Sequence, residues 1–180
     1  MYTLEQKLRS ALVVGFTLLV CIVLLAAGWA IVERQEIPGI DSGTLARLEG
    51  FFPRAERFEA LHPDRPPFAV YGAYRDGERV GTALTGSGRG YGGPIRVLVA
   101  VDTEGAIAGV AVVEQSETPG LGDVIRDEPF LDQFKGKDAR NPASLEDDVD
   151  TISGATVSSL GTAEAVRNAL EQDLPEGAMP

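Results

Sequence analysis

Cysteine and histidine are almost missing from this sequence: Cys21 and His62 are its only examples. A single cysteine permits no disulfide within the chain, no thiolate cage for zinc or an iron–sulfur cluster, and no c-type haem attachment motif. The single histidine stands in the proline-flanked run Leu-His-Pro-Asp-Arg-Pro-Pro, which reads as an exposed loop and argues against a Ser-His-Asp or Cys-His hydrolase. Redox chemistry would therefore have to come from an organic cofactor. Basic charge is scarce as well, with 16 Lys and Arg against 27 Asp and Glu. Setting aside residues 1–32, which hold Lys7, Arg9 and Glu5, leaves 14 basic and 26 acidic residues and a formal charge of about −12. Such a surface argues against nucleic acid as a partner; its plainest use is to keep a domain soluble.

What the sequence does have is one long apolar run. Residues 11–32 carry no charge, and as a helix they would be long enough to cross about 30 Å of hydrocarbon. A signal peptide is the rival reading, with Gly28-Trp29-Ala30 as a loose cleavage site, but its apolar core would span only about 7–15 residues. We read an uncleaved anchor in the lipid bilayer. Lys7 and Arg9 precede the span, whereas Glu33, Arg34 and Glu36 follow it without net positive charge. The positive-inside rule then places residues 1–10 in the cytoplasm and everything after the span outside. In a bacterium this means a single-pass protein of the inner membrane with its C-terminal domain on the periplasmic or outer side.

Residues 33–67 read as a connector punctuated by Pro38, Pro53, Pro63, Pro66 and Pro67, with a short helix over 44–52. From 68 the pattern turns to strands. Residues 68–74 and 79–84 flank the turn Asp76-Gly77, and a second, more apolar hairpin joins 95–101 to 107–113 through Asp102-Thr103-Glu104-Gly105. A loop at 117–122, a short helix around 129–134 and a polar stretch over 135–148 follow. A last helix starts after Thr156 with Val157, Leu160, Ala163, Val166 and Leu170 on one stripe, and Pro175 prevents its continuation. The fold expected is α+β: a transmembrane helix, then a β-hairpin-rich domain over 68–174 with a C-terminal helix and a tail over 175–180.

Three segments could carry chemistry. Gly88-Arg89-Gly90-Tyr91-Gly92-Gly93 matches a dinucleotide fingerprint in letters, but Pro94 and a strand follow where that fingerprint must open a helix. The run reads as a flexible bend, bare enough for a flat ring to approach at Tyr91 and Gly92. Glu117-Thr118-Pro119-Gly120-Leu121-Gly122 is a rigid turn, since Pro119 fixes φ and Gly120 suits a positive φ; it is either a plain turn or a ligand loop. Asp150-Thr151-Ile152-Ser153-Gly154-Ala155-Thr156 delivers a hydroxyl to the start of a helix. There the first N–H groups lack partners and the dipole favours a negative group, although an ordinary capped helix start fits the same letters.

Together with Phe134-Lys135-Gly136-Lys137, and in this order, these segments resemble the FMN-binding domain of the G subunit of the Rnf complex and the related C subunit of the sodium-pumping NADH:quinone reductase. The likeness covers most of the chain after residue 67, and the single N-terminal span fits it. The resemblance implies that a flavin transferase takes FMN from FAD and joins it by a phosphoester to Thr156, at the end of a modification motif opened by Asp150. Ser153, Gly154, Ala155, Val157 and Ser158 would surround the phosphate, and Glu117, Thr118, Gly120, Leu121, Tyr91 and Gly92 would meet the ring. It also implies an electron-carrying component of a membrane complex that couples ferredoxin and NAD to ion movement, among other Rnf subunits and without an independent catalytic site or a metal. The short length favours the Rnf subunit over the quinone reductase subunit. A flavin-free assembly subunit is the remaining reading. Many relatives carry His where this chain has Gln115, which cannot titrate near neutral pH.

Overall fold

The computed structural model describes residues 15–16, 18–22, 39–62, 68–145 and 148–172. It divides into two compact units, Met1–Glu36 and Ile37–Pro180. Of the first, residues 15–16 and 18–22 are described; they are helical, with Phe16, Leu18, Leu19 and Ile22 exposed. The rest of the span expected over 11–32 lies outside the described residues, and among those described no helix is long and apolar enough to cross a membrane.

The second unit holds helix α1 (Ser42–Phe51), strands β1 (Arg57–Ala60), β2 (Val70–Arg75), β3 (Glu78–Arg89), β4 (Pro94–Asp102) and β5 (Ile107–Glu114), the short helix α2 (Glu128–Leu131) and the long helix α3 (Thr156–Leu170). The strands form one antiparallel sheet in sequence order. Asp76 and Gly77, both at positive φ (51° and 82°), make the two-residue turn of the β2–β3 hairpin, as the Asp-Gly pair requires. Asp102 closes the next hairpin but one, its Oδ1 accepting from the N–H groups of Glu104 and Ala106 at 2.9 Å each.

Both faces of the sheet are covered. Side chains alternate along a strand, so Ile95, Val97, Val99 and Val101 of β4 enter one core with Val166, Ala165 and Ala169 of α3, together with Phe130 and Phe134. Leu98 and Ala100 enter the other core with Leu48 and Phe52 of α1 and its flank. A strand buried on both faces reads as a continuous apolar run, which is why the 95–101 segment stood out as central. The second core gives the expected connector over 33–67 a definite part in the domain. Its 42–60 portion supplies a helix and the edge strand β1, whose Arg57 guanidinium lies 5.0 Å over the Tyr74 ring of β2.

β3 is longer than the sequence suggested, running through Gly86 and Gly88 to Arg89 where a bend was expected from Gly88 onward. The glycines serve contact with α3: a Cβ at Gly86 would collide with the backbone of Ala165 and Ala169, and one at Gly88 with the carbonyl of Gly161. Small residues on both elements let the helix lie directly on the strand. The same seam corrects the expected apolar stripe of α3. Ser158, Ser159, Gly161, Thr162, Ala165 and Ala169 join Ala163, Val166 and Leu170 in the interior, while Val157 and Leu160 are 50% and 48% exposed.

Candidate functional site

Laying α3 on the end of β3 sets its first turn beside two loops at one end of the strands. The β3–β4 bend, 90–93, is closed by Gly90 N–H donating to the Gly93 carbonyl at 2.9 Å. The 115–122 segment leaves the end of β5. Between them and α3 lies an open cleft of about 280 Å³, walled by Tyr91, by Glu117, Thr118, Leu121 and Gly122, and by the run from Gly154 to Ser158. Tyr91, Leu121 and Val157 are large apolar residues at 77%, 52% and 50% exposure, so the cleft has apolar walls without a filled interior.

Glu117 fastens the three parts together. Its side chain is buried, and its carboxylate accepts from the N–H of Gly92 at 2.9 Å, from the N–H of Tyr91 at 3.3 Å and from the Ser158 hydroxyl. The glycines around it make room: a Cβ on Gly90 or Gly122 would strike the carboxylate, and one on Gly92 would strike the Ser116 carbonyl. Much of the bareness of the Gly90-Tyr91-Gly92 run therefore admits a protein side chain rather than a ring. Gln115 has a local duty, its side-chain oxygen accepting from the Glu117 N–H.

The turn after Glu117, which the sequence left open as a plain turn or a ligand loop, spends its amides internally. Its Leu121 and Gly122 N–H groups donate to the Thr118 carbonyl at 3.1 and 3.0 Å, and that of Gly120 donates to Asp123 Oδ1 at 2.7 Å. Gly120 takes the expected positive φ (72°) but stands away from the cleft wall, in open space where a Cβ would meet nothing within 4 Å. The open amides are on α3 instead. Its first intrahelical bond is Ser159 N–H to the Ala155 carbonyl; Ala155 supplies no side-chain cap, and no described group accepts from the N–H of Thr156, Val157 or Ser158. Thr156 is exposed at this end.

Of the residues singled out in the sequence, Tyr91, Glu117, Thr118, Leu121, Gly154, Ala155, Thr156, Val157 and Ser158 meet at the cleft. Gly92 stands behind the wall on Glu117, and Ser153 and Asp150 lie on the exposed approach to Thr156. Gly122 belongs to the wall and was missed as a site residue; its place at the end of the 117–122 run was the available signal.

Residues 90–171 match the family model described as the FMN-binding domain. The G subunit of the ion-translocating oxidoreductase complex of Pseudomonas aeruginosa (strain UCBPP-PA14) is 31% identical over an alignment covering 93% of this chain and 89% of that protein. The chain belongs to the family of G subunits of these complexes. The G subunit of the proton-translocating ferredoxin:NAD(+) oxidoreductase complex of Clostridium ljungdahlii is 32% identical, over 57% of this chain and 58% of that relative, so this chain spans little more than half of it. Among solved structures, NqrC of Shewanella oneidensis is similar at 30% identity, covering 56% of this chain and 54% of that one with a TM-score of 0.48.

Proposed function

We propose that this member of the G-subunit family carries FMN covalently on Thr156 and relays electrons within a membrane-bound ion-translocating ferredoxin:NAD oxidoreductase complex of the Rnf type. The observation that carries this reading is the uncapped start of α3. The exposed Thr156 hydroxyl stands where three N–H groups lack acceptors, and a phosphate diester suits a helix N-terminus on both hydrogen bonding and dipole grounds. Tyr91, Leu121 and Val157 suit the flat apolar faces of an isoalloxazine ring, and a cleft of about 280 Å³ lies just below the roughly 300–1,000 Å³ of enclosing ligand sites. One side of the ring would stay open, which favours electron exchange with a neighbouring subunit. When bound, FMN supplies the electron-transfer chemistry that no side chain here can. The chain's part is to fix the phosphate at α3 and give the ring an apolar wall, with Glu117 setting the spacing between the two loops.

Attachment balances as a transfer. The Thr156 Oγ1–phosphorus bond forms, the bond from that phosphorus to the adenylate half of FAD breaks, AMP leaves, and the hydroxyl proton passes to the flavin transferase. No electron is gained or lost by the protein.

Thr156→Ala should give a folded protein with no flavin fluorescence in the denatured band, because it removes the only ester oxygen at that position. Mass spectrometry placing FMN on Ser153, Ser158 or Thr162 would overturn the assignment. Orientation is tested separately. Protease added to spheroplasts should digest the domain after residue 33, and protection there with digestion in inverted vesicles would reverse the periplasmic assignment.

A further inference from the structure

The groups that hold the 150–156 segment in place include two from outside it. Gln133, in the turn Asp132–Phe134, faces Asp150 with both ends of its amide. Its Oε1 accepts from the Asp150 N–H at 2.8 Å and its Nε2 donates to the Asp150 carbonyl at 3.2 Å. The side chain thus reproduces the paired bonds of a neighbouring strand. Lys137 adds a tie just upstream, its Nζ donating to the Asp148 carbonyl at 3.2 Å. At the other end, Ser159 Oγ accepts from the Ile152 N–H at 3.1 Å and donates to the Ala155 carbonyl at 3.0 Å.

These ties stand on the fold itself. Phe134 is fully buried, and Gly136, at φ 76°, donates its N–H to the Ile107 carbonyl at 2.8 Å, which fixes the Phe134-Lys135-Gly136-Lys137 run against β5. Between the two anchors Asp150, Thr151, Ser153, Gly154 and Thr156 are exposed, and the Asp150 carboxylate has no hydrogen-bond partner among the described residues. A modifying enzyme would therefore meet a segment whose backbone is already ordered and whose reactive side chains face outward.

We infer that Gln133 and Ser159 are positioning residues for flavin attachment, clamping the 150–156 segment at both ends so that Asp150 and Thr156 are presented to the transferase in one conformation. The inference rests on attachment at Thr156. An ordered substrate segment loses less conformational entropy on docking, so the clamp acts on recognition by the transferase rather than on the properties of the attached flavin.

Purified apoprotein, incubated with FAD, a divalent cation and the flavin transferase, gives kcat/KM for attachment from the growth of flavin fluorescence in the denatured band. Gln133→Leu removes both bonds to Asp150 at similar volume. It should lower kcat/KM by about tenfold, chiefly through KM, the factor expected from two exposed hydrogen bonds. The final occupancy at Thr156 and the absorption spectrum after completion should stay near wild type, and the melting temperature should fall by no more than about 5 °C. Gln133→Glu keeps the acceptor for the Asp150 N–H and should fall between. Amide hydrogen exchange on the unmodified wild-type protein reads the clamp without any variant: Asp150 and Ile152 should exchange more slowly than Thr151 and Ser153. A folded Gln133→Leu modified at the wild-type rate, or Asp150 and Ile152 amides exchanging as fast as their neighbours, overturns the inference. A wild-type protein that takes no flavin on Thr156 is a different failure, removing the attachment reading and this inference with it.

Discussion

At the start of α1 the chain supplies its own cap, whereas at the start of α3 it supplies none. Asp41 precedes α1 in extended conformation, and its carboxylate accepts from the N–H groups of Gly43 and Thr44 at 2.9 and 3.0 Å and from the Thr44 hydroxyl at 2.6 Å. Ala155 precedes α3 with ψ at 30° and no side chain able to turn back. A missing cap costs about 1 kcal/mol, and α3 can bear it because its body is seated on the glycines of β3 through Gly161, Ala165 and Ala169. The contrast separates two uses of one structure. α1 closes a core and is capped from within, whereas the start of α3 is anchored firmly enough to stay uncapped.

The comparison breaks most readily at Glu117, an acid that the fold brings to the first turn of α3. Glu117→Ala strips the acceptor from the Tyr91 and Gly92 N–H groups and from the Ser158 hydroxyl. Leaving such groups unsatisfied costs about 1–3 kcal/mol apiece when water cannot reach them. We expect a loss of about 3 kcal/mol in denaturant unfolding, with Glu117→Gln costing about half as much because one acceptor oxygen survives. A loss under about 0.5 kcal/mol, the range of ordinary surface changes, would show that the two loops are held to α3 by other means.

The closed helix gives a smaller effect with a defined pH dependence. Asp41 is held below its ordinary carboxylate pKa of 3.8, first by the Thr44 hydroxyl and then by the Thr44 N–H, against a smaller opposing effect of burial. A folded-state pKa below the unfolded one means that the cap's contribution is fully present above the unfolded value and fades as pH falls through the folded one. Asp41→Ala should cost about 1 kcal/mol at neutral pH. The difference from wild type should shrink below about pH 4, where the wild-type carboxylate protonates. A difference that stayed constant down to about pH 2, well below the ordinary carboxylate range, would mean that the carboxylate's charge has no part in the cap.

What the sequence made legible follows from where local chemistry and tertiary environment agree. The Asp76-Gly77 turn and the apolar 95–101 and 107–113 segments were readable because turn geometry and two-sided burial each leave a local signature. β1 was not, being four residues with a single buried side chain, Phe58, between proline-rich stretches; its strand character comes from pairing with β2. Gly86 and Gly88 looked like a break because their reason for being small lies on α3, some 75 residues onward. The candidate site shows the same divide. A hydroxyl at the start of a helix was legible at Thr156 from local features, but those features fit an ordinary helix start equally, and the resemblance is what singled the residue out. The hydrogen bonds of Glu117 to Tyr91, Gly92 and Ser158 left no such trace, because only the fold brings those residues near. Val157 and Leu160 were assigned to the interior by spacing, although the seam on β3 faces the small residues and leaves these two outside.

The smallest expected effect tests the contrast between the helices most directly, because it asks only whether each helix end accepts a negative charge. Thr156 and Ser42 are both the first residue of their helix and both exposed. Replacing either by Glu or by Gln gives side chains of equal shape that differ in charge. At Thr156 the charge would lie beside three N–H groups that lack acceptors, and Thr156→Glu should be more stable than Thr156→Gln by about 0.3–1 kcal/mol at low ionic strength. At Ser42 the N–H groups of Gly43 and Thr44 are already bonded to Asp41, so a second carboxylate would find the amides of that helix end already taken. Ser42→Glu should therefore gain less than Thr156→Glu over its Gln counterpart. Raising the salt concentration to about 1 M shortens the screening length to about 3 Å and should shrink the gain at Thr156. Urea unfolding of the four variants at both salt levels reads all of this without any flavin present. Equal gains at the two helices would mean that the start of α3 is no more receptive to an anion than a capped helix, and the observation on which a phosphate at Thr156 rests would lose its force.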